Sequence, residues 1–162
     1  MSIPVRPIPE GMHSLTPYLT VKDAPAAIAF YQRAFGAQEL SRIPGADGRL
    51  LHACLRIGDS ALMMSEEFPE WGGKGPLALG GSPVSIHLYV DDVDAAWSRA
   101  VSAGCEVTMP LEDTFWGDRF GSLRDPFGHV WSLATHVRDL TNEEIMESAG
   151  KIDFNQACGQ EV

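Results

Sequence analysis

The sequence predicts an α+β chain of two tandem βαβββ modules, and three observations carry that prediction. A stretch that reads as strand, Asp cap and helix occurs twice. Setting Val21-Lys22-Asp23 on Val90-Asp91-Asp92 gives an offset of 69 residues, which also brings Ala26 and Ala27 onto Ala95 and Ala96. Each copy is followed by short alternating segments separated by Gly- and Asp-bearing turns, the pattern of strands. Finally, residues 123–136 join the tight turn Asp125-Pro126-Phe127-Gly128 to a strand from His129 to Ala134. In that turn Pro presets φ at the second position and Gly suits the fourth. Along the strand Val130, Ser132 and Ala134 share one face, and His129, Trp131 and Leu133 the other.

At 162 residues with a 44% hydrophobic fraction, the chain reads as one globular unit with a real core. No apolar run approaches a membrane span and the N-terminus lacks the layout of a signal peptide, so no membrane partner and a cytoplasmic location are expected. A net charge of −10 with only twelve scattered Lys and Arg argues against the clustered basic surface that nucleic acid needs, so no nucleic acid partner is expected. Cys54, Cys105 and Cys158 are odd in number and far apart, which supports neither a disulfide framework nor a zinc knuckle. Cys54 and Cys105 read as small apolar strand residues, and Cys158 lies in a tail.

In chain order, three prolines among residues 1–11 make an extended arm suited to packing across a neighbour. Residues 14–67 form the first module. Its opening strand, 14–21, puts Thr16, Tyr18 and Thr20 on one face and Leu15, Leu19 and Val21 on the other. Asp23 caps a helix over 24–35, with Pro25 in its first turn, Gly36 past its end, and a core stripe from Ile28, Phe30 or Tyr31, and Phe35. Strands follow at 38–43, 51–57 and 61–65. Residues 68–83 are a Gly-rich linker that can fold over a site, with Trp71 as a candidate lid residue. The second module, 84–136, has strands at 84–90, 106–111, 117–123 and 129–134, and a helix over 93–103 capped by Asp92 or Asp94. Thr141 with Glu144 three residues on forms a capping box that opens a peripheral helix over 142–149, within a C-terminal segment of 137–162.

Three stretches, residues 17–37, 55–67 and 116–144, together with the DP-x-G turn, resemble the vicinal-oxygen-chelate superfamily of glyoxalase I, bleomycin-resistance proteins and extradiol dioxygenases, in its PhnB-like branch. The resemblance implies that the two modules curl into a mixed-sheet cup, that the protein is a homodimer, and that a divalent metal would be held by His, Gln or Glu side chains from the strands. The family's ligand positions fall here on Thr16, Ser85 and Ser132, with a fourth near Met63 to Ser65 and Glu66 as the nearest carboxylate. Hydroxyls are poor ligands beside imidazole or carboxylate. The expectation is therefore no metal and no other cofactor at that place, and a cavity lined with hydrogen-bonding hydroxyls.

Tyr18 and His87 follow on the same faces as Thr16 and Ser85. His87 is the candidate proton-transfer group, with a hydrogen-bonded pocket wall as the plainer alternative, and His52 stands next. Phe115 and Trp116 can stack on a flat ligand while Arg119 pairs a carboxylate or phosphate; alternatively Asp118 and Arg119 pair to pin the loop. His129 reads as structural, and His13 and His136 carry no signal. Two function classes remain: a metal-independent protein that binds a small, aromatic or planar molecule without chemistry, and a metal-dependent lyase, isomerase or dioxygenase using groups such as His52, His87 and Glu66. A metal-free enzyme with His87 as base lies between them.

Overall fold

The helix signals lie where the caps put them. In a computed structural model that describes residues 5–152, α1 spans Ala24–Phe35, with the Asp23 side chain accepting from the Ala26 amide and Gly36 closing the helix in the left-handed conformation. The Glu66 carboxylate also accepts the Ala24 amide (2.8 Å), so two acids satisfy donors that a helix start leaves free. Two four-stranded mixed sheets are formed. The first joins β1 (Tyr18–Val21), β2 (Gln38–Pro44), β3 (Leu50–Ile57) and β4 (Ser60–Glu66) in the order β1-β4-β3-β2. After one turn of 3-10 helix at Pro69–Trp71 and the short α2 (Pro76–Leu79), the second joins β5 (Ser85–Tyr89), β6 (Glu106–Asp113), β7 (Asp118–Arg124) and β8 (Val130–His136) in the order β5-β8-β7-β6. Between β5 and β6 runs α3 (Val93–Ala103), capped by Asp92 and not by Asp94; α4 (Asn142–Ala149) follows the complete capping box of Thr141 and Glu144.

Within each sheet the first strand lies parallel to the last, and the remaining pairs are antiparallel. The registers repeat at the sequence offset: Tyr18 lies beside Met63, and His87 beside Ser132.

Both helices lie against the buried faces of the sheets, and α1 reaches across to the second module. Phe35 meets Trp131 with ring centroids 4.4 Å apart, Phe30 meets Phe127 edge-on, and Tyr31 contacts both Phe127 and Trp131. Each such side chain contributes about 1.5–3 kcal/mol by burial. The Asp125 carboxylate organises this seam, accepting from the Tyr31 hydroxyl (2.7 Å), the Trp131 indole N–H (2.9 Å) and the amides of Phe127 and His129. Burial, then the Asp125 charge, push the Tyr31 phenol well above its usual range. The DP-x-G turn is thus also the joint between the modules.

Three expectations need correction. The opening strand starts at Tyr18, not Ser14, because Pro17 has no N–H for the ladder and the Thr16 hydroxyl turns back onto the His13 carbonyl (3.3 Å); Leu15, expected on the buried face, is 88% exposed. The last strand starts at Val130, because the His129 amide is held by Asp125 in the turn, and it runs on to His136. The linker contains two short helical turns, fixed by Arg49 over the Phe68 ring (4.4 Å) and by the Gly75 amide on the Glu67 carboxylate (2.8 Å). Trp71 stacks on Phe68 within it. The first four residues of the Pro-rich arm, and Cys158 in the tail, lie outside the described residues.

Candidate functional site

Strand alternation assigns Ser85, His87 and Tyr89 of β5 to the face of the second sheet turned away from the helices, with Val130, Ser132, Ala134 and His136 of β8 and Asp118 and Phe120 of β7 in the same rows. His87 Nδ1 lies 2.7 Å from the hydroxyl of buried Ser132. The His87 ring meets Tyr89 edge-on at 4.6 Å and stacks with Phe120 at 5.9 Å; Trp116 stands edge-on to Phe120 at 5.5 Å and to Phe115 at 5.0 Å. The result is an aromatic wall with polar tips. Asp118, only 3% exposed, accepts from the Tyr89 hydroxyl (2.9 Å), the Trp116 indole N–H (3.2 Å) and His136 Nδ1 (2.8 Å).

The corresponding face of the first sheet is sparser. The Tyr18 hydroxyl lies 3.0 Å from His52 Nδ1, beside Met63 and Cys54 in register. A cavity of about 800 Å³ follows the free edge of β5 between the modules, lined by Leu15, Ile57, Leu62, Leu88 and Trp131 among others. It reaches the aromatic wall through His87 and Tyr89. A second pocket, of about 420 Å³, lies beyond Tyr89 between Asp91, Thr135 and His136.

The structure therefore brings together Ser85, His87, Ser132, Phe115 and Trp116, and separately Tyr18 and His52. Thr16 sits just before β1, on the His13 carbonyl. Arg119 does not join the wall. Paired with Thr135, it lies on the opposite face of the sheet, where its guanidinium holds both oxygens of Asp94 (2.8 and 2.9 Å) and one of Asp113 (3.2 Å). Its predicted use on a ligand anion gives way to an ion-paired brace between β7, β6 and α3. The alternative pairing of Arg119 with Asp118 gives way too, because neighbours on a strand point to opposite faces. Glu66 is likewise engaged at the start of α1.

Sequence reasoning missed Tyr89, Phe120 and His136, and read Asp118 only as a partner of Arg119. Continuing the alternation of Ser85 and His87 by one step finds Tyr89, and carrying β8 two residues past Ala134 finds His136. Asp118 needed the pairing register of β7, which no local signal supplies.

The metal-binding chemistry that the fold allows can be tested on the donors. The position equivalent to Ser132 in the first sheet is Met63, so the four places carry hydroxyls of Thr16, Ser85 and Ser132 and one thioether. Ser132 is engaged with His87. Among the described residues no three His, Cys, Asp or Glu side chains converge as a metal-binding group. These donors do not fit a zinc, nickel, manganese or iron centre.

Comparison with known proteins agrees with this architecture. The family profile of the Glyoxalase/Bleomycin resistance protein/Dioxygenase superfamily matches residues 11–133. An uncharacterised protein of Mycobacterium bovis is 52% identical over 135 residues, covering 82% of this chain and 89% of that one. Among solved structures, TioX from a Micromonospora species superposes with a TM-score of 0.61 at 30% identity, covering 76% of this chain and 98% of TioX. TnmS3, an antibiotic binding protein from a Streptomyces species, does so with a TM-score of 0.58 at 27% identity, covering 76% and 95%. With two like-ordered βαβββ sheets and this match over most of its length, the chain belongs to the Glyoxalase/Bleomycin resistance protein/Dioxygenase superfamily.

Proposed function

We propose that the protein binds a small, flat aromatic molecule without a metal, against the wall of His87, Tyr89, Phe120 and Trp116. The observation that carries this reading is the wall itself: rings at 4.6 to 5.9 Å from one another, with polar tips already fixed by hydrogen bonds. Such a surface offers stacking area with little side-chain entropy left to lose. The donor set described above supports binding without a metal, and the likeness to TnmS3, described as an antibiotic binding protein, supports a ligand of that general kind. The reading includes a cytoplasmic location, which the unpaired thiols of Cys54 and Cys105 suit. Among the described residues no helix is long and apolar enough to cross a membrane.

The test separates binding from metal chemistry. Protein purified without a chelating tag is expected to hold far less than one equivalent of zinc, nickel, manganese or iron, and to keep its Tm when these ions are added, because an ion that binds the folded state must raise it. Flat aromatic compounds are expected to quench tryptophan fluorescence, and Trp116→Ala to weaken each hit. Stoichiometric metal, lost in His87→Ala, would instead establish a metalloenzyme.

The same reading includes a homodimer. Among the described residues strands β1 and β5 are sheet edges, and Tyr18 and Tyr89 on the open faces are 53% and 60% exposed. Sedimentation at micromolar concentration is expected to give the dimer mass; a monomer would remove this part.

A further inference from the structure

Three ring systems converge on one carboxylate at the rim of the aromatic wall. Asp118 Oδ2 accepts from both Tyr89 and Trp116, and Oδ1 from His136. The backbone of the loop carrying Trp116 is held by other means: the Asp118 carbonyl accepts from the Thr114 amide and hydroxyl (both 2.7 Å), the Gly117 carbonyl from the amides of Val137 and Arg138 (both 2.9 Å), and the Thr114 carbonyl from the Arg138 guanidinium (2.9 Å). The carboxylate is therefore free to set ring orientation, while the loop's course is fixed without it.

We propose that Asp118 is a positioning residue for the aromatic wall, and that the proton on His136 governs how firmly Asp118 holds Tyr89 and Trp116, so that ligand binding is tied to pH. The proposal rests on the aromatic-ligand reading for its effect on binding alone. His136 is a partly open group on this network. Facing it are Asp118 of β7, Asp139 just past β8 (3.0 Å from Nε2), and Tyr89 and Asp91 across the 420 Å³ pocket, while Arg138 turns its guanidinium to Thr114. Its neighbours on the open side are thus mainly acidic. The hydrogen bond that His136 donates to Asp118, then that to Asp139, raise the His136 pKa above its ordinary 6.5. Burial pushes the Asp118 carboxyl up, yet the three donors outweigh it and hold the group below the ordinary 3.8.

The signs define a window. A raised imidazole pKa favours the folded network fully below pH 6.5, and that contribution fades as pH rises through the raised value. A lowered carboxyl pKa favours it above 3.8 and fades as pH falls through the lowered value. Between these limits the imidazolium and carboxylate are both charged and the wall is held most firmly. At higher pH the buried carboxylate keeps its charge without its cation.

The coupling is read first without ligand. Nitrogen-15 labelled protein gives separate indole N–H signals, and Trp116→Phe identifies that of Trp116. This signal is expected to titrate with a midpoint above 6.5 that it shares with the His136 ring, to stop titrating in His136→Gln, and to move upfield in Asp118→Asn as the charged acceptor is lost. A Trp116 signal that stays flat while His136 titrates overturns the proposal, as does an unchanged titration in His136→Gln; neither result depends on the folding of the Asp118 variant. Binding of 8-anilinonaphthalene-1-sulfonate, followed from pH 5.5 to 8.5, is then expected to weaken severalfold with the same midpoint in the wild type and to lose that dependence in His136→Gln. A probe that binds with no such midpoint overturns the link to binding. A probe that fails to bind at any pH counts against the aromatic-ligand reading, and the indole titration then decides the coupling by itself.

Discussion

The two modules share strand order and register, yet polar chemistry is concentrated in one of them. Among the described residues the buried polar side chains are Asp118, Asp125, His129 and Ser132, all from the second half of the chain. The first half supplies apolar mass, with Val21, Ile28, Phe30, Tyr31, Leu55 and Met64 all buried, and its open face carries one polar pair, Tyr18 with His52. The difference teaches that repeating a topology does not repeat a site. Matched positions diverge one at a time: where the second sheet has His87 beside Ser132, the first has Tyr18 beside Met63.

This division can be broken by mutation, and the largest effect is expected at the seam. Asp125→Ala strands the Tyr31 hydroxyl, the Trp131 indole N–H and two backbone amides in a buried place, and is expected to cost about 3 kcal/mol or more in urea unfolding. A loss below ~1 kcal/mol would show that the seam is held by apolar contact alone. Gly121→Ala comes next. A Cβ there would stand 2.5 Å from the Trp97 ring and 3.1 Å from the Leu111 backbone, so the second module must shift to admit it; a loss of about 2 kcal/mol and a lower Tm are expected. The smallest effect belongs to Tyr18→Phe, which removes one partly exposed hydrogen bond in the first module and is expected to cost roughly 0.5 kcal/mol. If Tyr18→Phe cost as much as Asp125→Ala, the contrast between the modules would fail.

Much of the fold was legible because its signals are local. Asp23, Asp92 and Thr141 each satisfy amides within three residues, so the helices over 24–35, 93–103 and 142–149 follow from short stretches of sequence. The site was legible where one strand sufficed, as for His87 and Ser132, and illegible where several strands had to be brought into register. Arg119 illustrates the difficulty. Beside two aromatics it looks like a ligand-binding cation, but its face is decided by the pairing of β7 with β8, and its partner Asp94 lies 25 residues away on a helix. The Asp118 network joins β5, the Trp116 loop and the end of β8, three segments that approach one another only in the folded chain. His136 was passed over because the last strand was ended two residues early.

The seam between Tyr31 and Asp125 also bears on how such a chain can change over generations. At the 69-residue offset the counterpart of Tyr31 is Ala100, so the contact has no mirror image in the other module. Two copies of the first half laid against each other would present two phenols and no carboxylate, and two copies of the second half would present carboxylates without phenols. The halves have become lock and key to each other. A substitution at either position alone leaves its partner, 94 positions away, without this hydrogen bond.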